Sequence, residues 1–242
     1  MTKVIIERNG PVRTVWMNRP EKRNALDTEL IGNMIDALGA PVAADDRVVV
    51  IRGKGDVFCA GLDMAERSKT AGAGKSSGIE VMLRAIELCP LPVVAVVQGD
   101  AIAGGNELAL HCDLVVASQK ARFGMSLAQV GLAPNWFLAK KLMEVLGPVT
   151  TREMLLLGDP LPSAKLHALG LIARCVPTAE LAGQSIDDFR CQRTPGLVEA
   201  QAERHVTCPG TSRYASRGGP SCLPGRPGSA WRRRPARRRR RA

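Results

Sequence analysis

Residues 93–110 read Val93-Val94-Ala95-Val96-Val97-Gln98-Gly99-Asp100-Ala101-Ile102-Ala103-Gly104-Gly105-Asn106-Glu107-Leu108-Ala109-Leu110. The unbroken apolar run at its start, almost all valine, predicts a strand over 93–97 buried on both faces, the condition of a parallel strand between layers. Upstream, Ile79 to Leu88 has helical periodicity, and Pro90 and Pro92 end it. Downstream, Gly104-Gly105 opens a helix over Asn106 to His111 with an acid in its first turn. A helix feeding a buried strand that feeds a second helix is the repeat unit of an α/β fold.

The same alternation extends both ways. Leu114 to Ala117 reads as a strand and Phe137 to Leu146 as a helix. Toward the N-terminus, Leu30, Ile31, Met34, Ile35 and Leu38 recur at helical spacing, and Asp45-Asp46 introduces a strand at Val48 to Ile51. Val4 to Glu7 and Val12 to Met17 form a hairpin through Asn9-Gly10-Pro11. After Pro148 the chain reads helix, helix, a short strand at Ile172 to Val176, and a helix from Thr178. Right-handed crossovers then imply a largely parallel sheet. No internal repeat is present.

With 45% hydrophobic and 24% charged residues, the 242-residue chain reads as a soluble globular protein with ample length for a core. No stretch reaches the roughly 18 apolar residues of a membrane helix. The start MTKVIIERNG carries charges where a secretory signal carries its apolar core, so cytoplasmic residence is expected. Seven widely spaced cysteines with no CxxC pair read as reduced thiols, not as a disulfide framework or zinc site.

The formal charge of +11 sits in one place. Residues 207–242 hold 11 arginines, no lysine and no acid; removing those 11 from 34 basic residues leaves 23, against 23 acids. Residues 1–190 are expected to form one domain, and 191–242 an irregular Arg/Gly/Pro-rich tail, disordered because its composition buries too little surface. Its arginines could contact polyanions only nonspecifically. Gly, Pro, Arg and Ala are what GC-rich codons give out of frame, so the segment after Phe189 reads as a frameshift product.

Several motifs fall short. Gly74-Lys75-Ser76 ends like a phosphate loop, but the glycine required five positions earlier is Lys69, and a surface loop is expected there. Gly53-Lys54-Gly55 has Phe58 where a dinucleotide fingerprint needs a third glycine. Gly124-Met125-Ser126-Leu127-Ala128 lacks the closing glycine of a nucleophile elbow. His111 shares a helix face with Glu107, four residues earlier, but two residues make no metal site.

Four ordered motifs remain: Asn18-Arg19-Pro20-Glu21-Lys22-Arg23-Asn24-Ala25-Leu26; Asp56-Val57-Phe58-Cys59-Ala60-Gly61-Leu62-Asp63; the stretch from Gln98 to Leu110; and Cys112-Asp113-Leu114. Together they resemble the crotonase, or enoyl-CoA hydratase/isomerase, superfamily, from about residue 3 to 186. The resemblance implies a spiral of stacked βαβ units, with the C-terminal helical part missing or replaced by the disordered tail. It implies an enzyme acting on an acyl-CoA thioester through an enolate, with the N–H groups of Ala60 and Gly104 as oxyanion donors and Glu107 as acid/base. Coenzyme A, part of the substrate, would lie along Ala60, Gly61, Leu62 and Asp63, beside Gly104 and Gly105, and near Lys22, Arg23 and Ala25. No metal, other cofactor or specific nucleic acid is implied.

The sequence also departs from the family. Where members read Phe-Gly-x-Pro-Glu, this chain has Phe123-Gly124-Met125-Ser126-Leu127, so the second acid is a leucine, which transfers no proton. Phe137-Leu138 replaces a glycine pair beside the acyl pocket and, with Trp136, would narrow that pocket or fill a core. Beyond Phe189 nothing matches the helices with which members build trimers and hexamers, so assembly would be weakened. Hydration or isomerisation is the leading expectation; the alternative is a catalytically weak or silent acyl-CoA binder.

Overall fold

The computed structural model describes residues 2–66 and 78–181. Its main sheet has the order β1-β2-β3-β4-β6-β9. Strands β1 (Val4–Asn9) and β2 (Val12–Met17) pair antiparallel, Asn9 opposite Val12, which leaves Gly10-Pro11 as the hairpin loop. The other strands, β3 (Val48–Gly53), β4 (Val93–Val97), β6 (Leu114–Ser118) and β9 (Arg174–Val176), all run parallel.

Helices cross between these strands. The first, α1 (Thr28–Gly39), is capped by Asp27, whose carboxylate accepts from the Leu30 N–H at 2.8 Å. Next come α2 (Ile79–Glu87) and α3 (Gly104–His111). Leu30, Met34, Met82, Leu83 and Leu108 from these helices bury against Val15, Ile51, Ala95 and Val97 of the sheet. The opposite face buries Val12, Val48, Val50, Val94, Val96 and Val116. Strand β4 is therefore covered on both sides, as its valine run predicts.

A smaller sheet, not foreseen in the sequence, joins β5 (Ala101–Ile102), β7 (Arg122–Gly124) and β8 (Leu161–Pro162). It anchors the segment just before α3. Helix α4 (Trp136–Arg152) outruns its expected end at Leu146 across a kink at Gly147, φ +69°. Pro148 starts the next turn because a first-turn residue needs no N–H donor. That turn runs into a π-helical turn at Glu153–Leu157, followed by α5 (Ser163–Ala168). Ile172 is buried core, not strand, so β9 is shorter than expected.

The described cysteines, Cys59, Cys89, Cys112 and Cys175, are free. No described helix is long and apolar enough to cross a membrane. Residues 178–180 form a turn that becomes helical at Leu181, Leu181 N donating to Thr178 O. The rest of the helix expected from Thr178, the loop at Gly74-Lys75-Ser76, the domain boundary at 190, the absent C-terminal helices and the disorder of the tail lie outside the described residues.

Candidate active site

Three chain segments run side by side: 23–26, 59–63 and 100–104. Cys59 N donates to Asp100 O and Ile102 N to Cys59 O, at 3.2 and 2.9 Å. On the other edge, Leu26 N donates to Gly61 O at 2.8 Å and Asp63 N to Leu26 O at 2.9 Å. Asn24, fully buried at φ +53°, pins the set: its amide donates to the carbonyls of Lys54, Val57 and Phe58.

Within this frame the Ala60 N–H donates to Arg23 O at 3.0 Å. The sequence expectation that Ala60 supplies an oxyanion donor is therefore not met, because that amide already holds the two segments together. Gly61, at φ +90°, is the reason. Regular alternation would aim the amides of residues 60 and 62 the same way, and the left-handed glycine breaks it. Since Leu26 takes both its hydrogen bonds from Gly61 and Asp63, the Leu62 N–H faces the opposite side. Among the described residues it has no acceptor.

That opposite side is the start of α3. A Cβ on Gly61 would come within 2.9 Å of Ala103 Cβ and 3.1 Å of Gly104 N, so only glycine permits the approach. Ala103 sits at φ 49°, ψ −116°, conformations sparse for a residue with a Cβ, and its N–H is tied to Gly124 O at 2.8 Å through the small sheet. The Gly104 N–H, next along the chain, has no acceptor among the described residues. It lies at the positive end of an eight-residue helix.

Glu107 is on the first turn of that helix and partly buried. Its carboxyl makes no hydrogen bond to a described residue. Burial, and secondarily the charge of Glu80 on α2, push its pKa up to about 7, so proton gain and release both fall near neutrality. One turn on, His111 Nδ1–H donates to the Glu107 carbonyl oxygen at 2.7 Å, and the ring stacks on Phe137 with centroids 5.4 Å apart. Cys59, inside the site's backbone frame, is pushed up to about 12 by burial, which keeps its thiol protonated.

Lys22 and Arg23 are exposed on the turn after Pro20, with Ala25 half-buried below. Asp63 is held low by Arg19, whose Nη1 lies 2.8 Å from it. Gly105 packs where a Cβ would meet Cys59 Cβ at 2.7 Å. Leu127 is half-buried against the main core. Of the three bulky residues expected at the pocket, Leu138 fills core, Phe137 covers His111, and Trp136 is 76% exposed. Arg19 and Asn24, both in the motif Asn18 to Leu26, are scaffolding groups whose role is set by tertiary contacts that no spacing reveals. No described group of three or more His, Cys, Asp or Glu side chains could hold a metal ion.

Residues 7–195 match the family model described as enoyl-CoA hydratase/isomerase. An enoyl-CoA hydratase of Mycobacterium tuberculosis is 33% identical over 206 residues, 82% of this chain and 77% of that protein. A short-chain-enoyl-CoA hydratase of Clostridium acetobutylicum is 30% identical over 187 residues, 75% of this chain and 71% of its own. The crystal structure of an enoyl-CoA hydratase from M. tuberculosis superposes with a TM-score of 0.72 at 33% identity, covering 84% of this chain and 89% of that one.

Proposed function

The chain belongs to the enoyl-CoA hydratase/isomerase family, and from that premise we propose that it acts on an acyl-CoA thioester, gripping the thioester oxygen between the N–H groups of Leu62 and Gly104. The observation that carries this reading is that two amides without acceptors among the described residues sit on facing segments, one of them at a helix start. Rigid main-chain donors aimed at a carbonyl stabilise the negative charge that reaches it when the thioester becomes an enolate. Glu107, titrating near neutrality, exchanges a proton with the acyl chain or with water. The exposed Lys22 and Arg23 meet the phosphates of coenzyme A, with Ala25, Gly61, Asp63 and Gly105 forming the walls.

Hydration of a 2-enoyl thioester and migration of its double bond both pass through such an enolate. The position of Leu127 against the core favours a second reading, an acyl-CoA binder with little turnover, because no proton-transfer group stands there. Loss of the conjugated-thioester absorbance of crotonyl-CoA separates them. The enzyme reading expects turnover that Glu107→Gln abolishes; calorimetric binding without turnover favours the binder, and turnover unchanged by the substitution removes Glu107 from the mechanism.

A further inference from the structure

We propose that His111 and Lys141 compete for one oxygen of Glu87, which makes the seam between helices α2, α3 and α4 a proton-operated latch, closed through Lys141 when His111 is neutral and released when it is charged. The device needs nothing of the acyl-CoA chemistry. Glu87 and His111 are the last residues of α2 and α3, and Lys141 lies in the second turn of α4. Glu87 Oε1 stands 3.8 Å from His111 Nε2 and 3.7 Å from Lys141 Nζ. Its other carboxylate oxygen lies 4.0 Å from Arg84 Nη1.

The Nδ1 of His111 meets the Glu107 carbonyl oxygen, which only accepts, so Nδ1 carries a hydrogen. In the neutral ring Nε2 is then an acceptor, and it faces a second acceptor, Glu87 Oε1, with no hydrogen bond of its own. The side chain is 1% exposed, so bulk water offers no substitute. A proton on Nε2 turns that opposition into an ion pair. Two cations then claim one oxygen, and Lys141, 27% exposed, is the one that can turn to solvent. Helix α4 thereby loses its ionic tie to α2, while the Phe137 ring of its first turn is left stacked on a buried charge.

The charged groups printed against this ring among the described residues are Glu87 and its partner Arg84 on α2 and Lys141 on α4; Lys140 pairs instead with Glu144 at 3.6 Å. Burial, aided by Lys141, holds the His111 pKa below its ordinary 6.5 against the pull of the Glu107 carbonyl and of Glu87. A depressed histidine contributes stability that is present above that ordinary value and is lost as pH falls below it. Glu107, whose pKa is raised, works with the opposite sign, so every comparison keeps Glu107 unchanged.

The test follows the assigned His111 ring signal by NMR, and the hydrogen-exchange protection of the α4 amides, from about pH 8 to about pH 5. The expected His111 midpoint lies below 6.5, moves up in Lys141→Met and moves further down in Glu87→Gln. In the unsubstituted chain α4 protection is expected to fall about threefold or more in acid. His111→Asn, which keeps a donor for the Glu107 carbonyl and takes no proton, should hold its protection, and Lys141→Met should be weakly protected at both ends. An equal acid loss in His111→Asn and the unsubstituted chain overturns the latch, as does a midpoint that Lys141→Met leaves in place. Should His111→Asn not fold, the midpoints in Lys141→Met and Glu87→Gln decide: opposite movements support the competition, and a common value overturns it.

Discussion

Arg19 Nη1 lies 2.8 Å from Asp63 Oδ2 and 3.3 Å from Asp27 Oδ2, joining the turn that carries Lys22 and Arg23 to the loop that carries Leu62. The same nitrogen donates to Ala25 O at 2.9 Å. One guanidinium nitrogen thus ties together the two segments.

Arg19→Ala is expected to cost roughly 1–3 kcal/mol in stability, because it strands partly buried acceptors, and to lower kcat more than Arg19→Lys does. Melting curves and crotonyl-CoA kinetics measure both. Equal kcat in Arg19→Ala and the unsubstituted protein would show that the clamp has no bearing on the reaction.

Gly61→Ala puts a methyl where Ala103 Cβ and Gly104 N already stand 2.9 and 3.1 Å away, at a φ of +90°. Either segment must shift, and the Leu62 and Gly104 amides with it. Losing one oxyanion donor costs about 10²- to 10³-fold in rate, so a fall of that size in kcat is expected. Retained turnover with a native melting temperature would place the oxyanion site elsewhere.

Glu107 raises a question of pH. Its carboxyl titrates near 7 in the folded chain against 4.5 ordinarily, mainly through burial and then through Glu80. Between those values the native state keeps a proton that the unfolded chain has released, so stability falls as pH rises through the window, by no more than about 3 kcal/mol. Glu107→Gln, always neutral, is expected to melt above the unsubstituted protein at pH 8 and alongside it at pH 4. In kcat/KM, loss of the acid form should lower activity above about pH 7. Identical melting profiles for the two proteins would contradict the buried-carboxyl account.

Deletion of residues 207–242 removes 11 arginines and no acids, leaving a formally neutral chain. Acyl-CoA affinity, measured by calorimetry, should persist, while any affinity for DNA at low salt should vanish, since such binding draws on cationic charge. DNA binding by the truncated chain would locate a nucleic-acid surface within residues 1–206.

Much of the architecture is legible in the sequence where local pattern and tertiary burial agree. The valine run at 93–97 becomes β4 with both boundaries as expected, and Asn9-Gly10-Pro11 forms the hairpin. Strands β5, β7 and β8 escape notice because two or three residues carry no readable period; what defines them is pairing across the chain. At the site, Gly104, Leu62 and Glu107 all lie in motifs legible in the sequence, but the proposed transfer of the donor role from Ala60 to Leu62 is not readable there. Which amide points inward depends on the handedness of Gly61, a backbone angle that no side-chain pattern encodes.

The strained backbone at Ala103 has an evolutionary side. Because the small sheet, not the identity of residue 103, holds that peptide in place through Gly124, neighbouring side chains are free to diverge while the polarising main chain stays put. On the proposed reading, the Gly104 amide keeps its place through main-chain pairing alone, whatever side chains surround it.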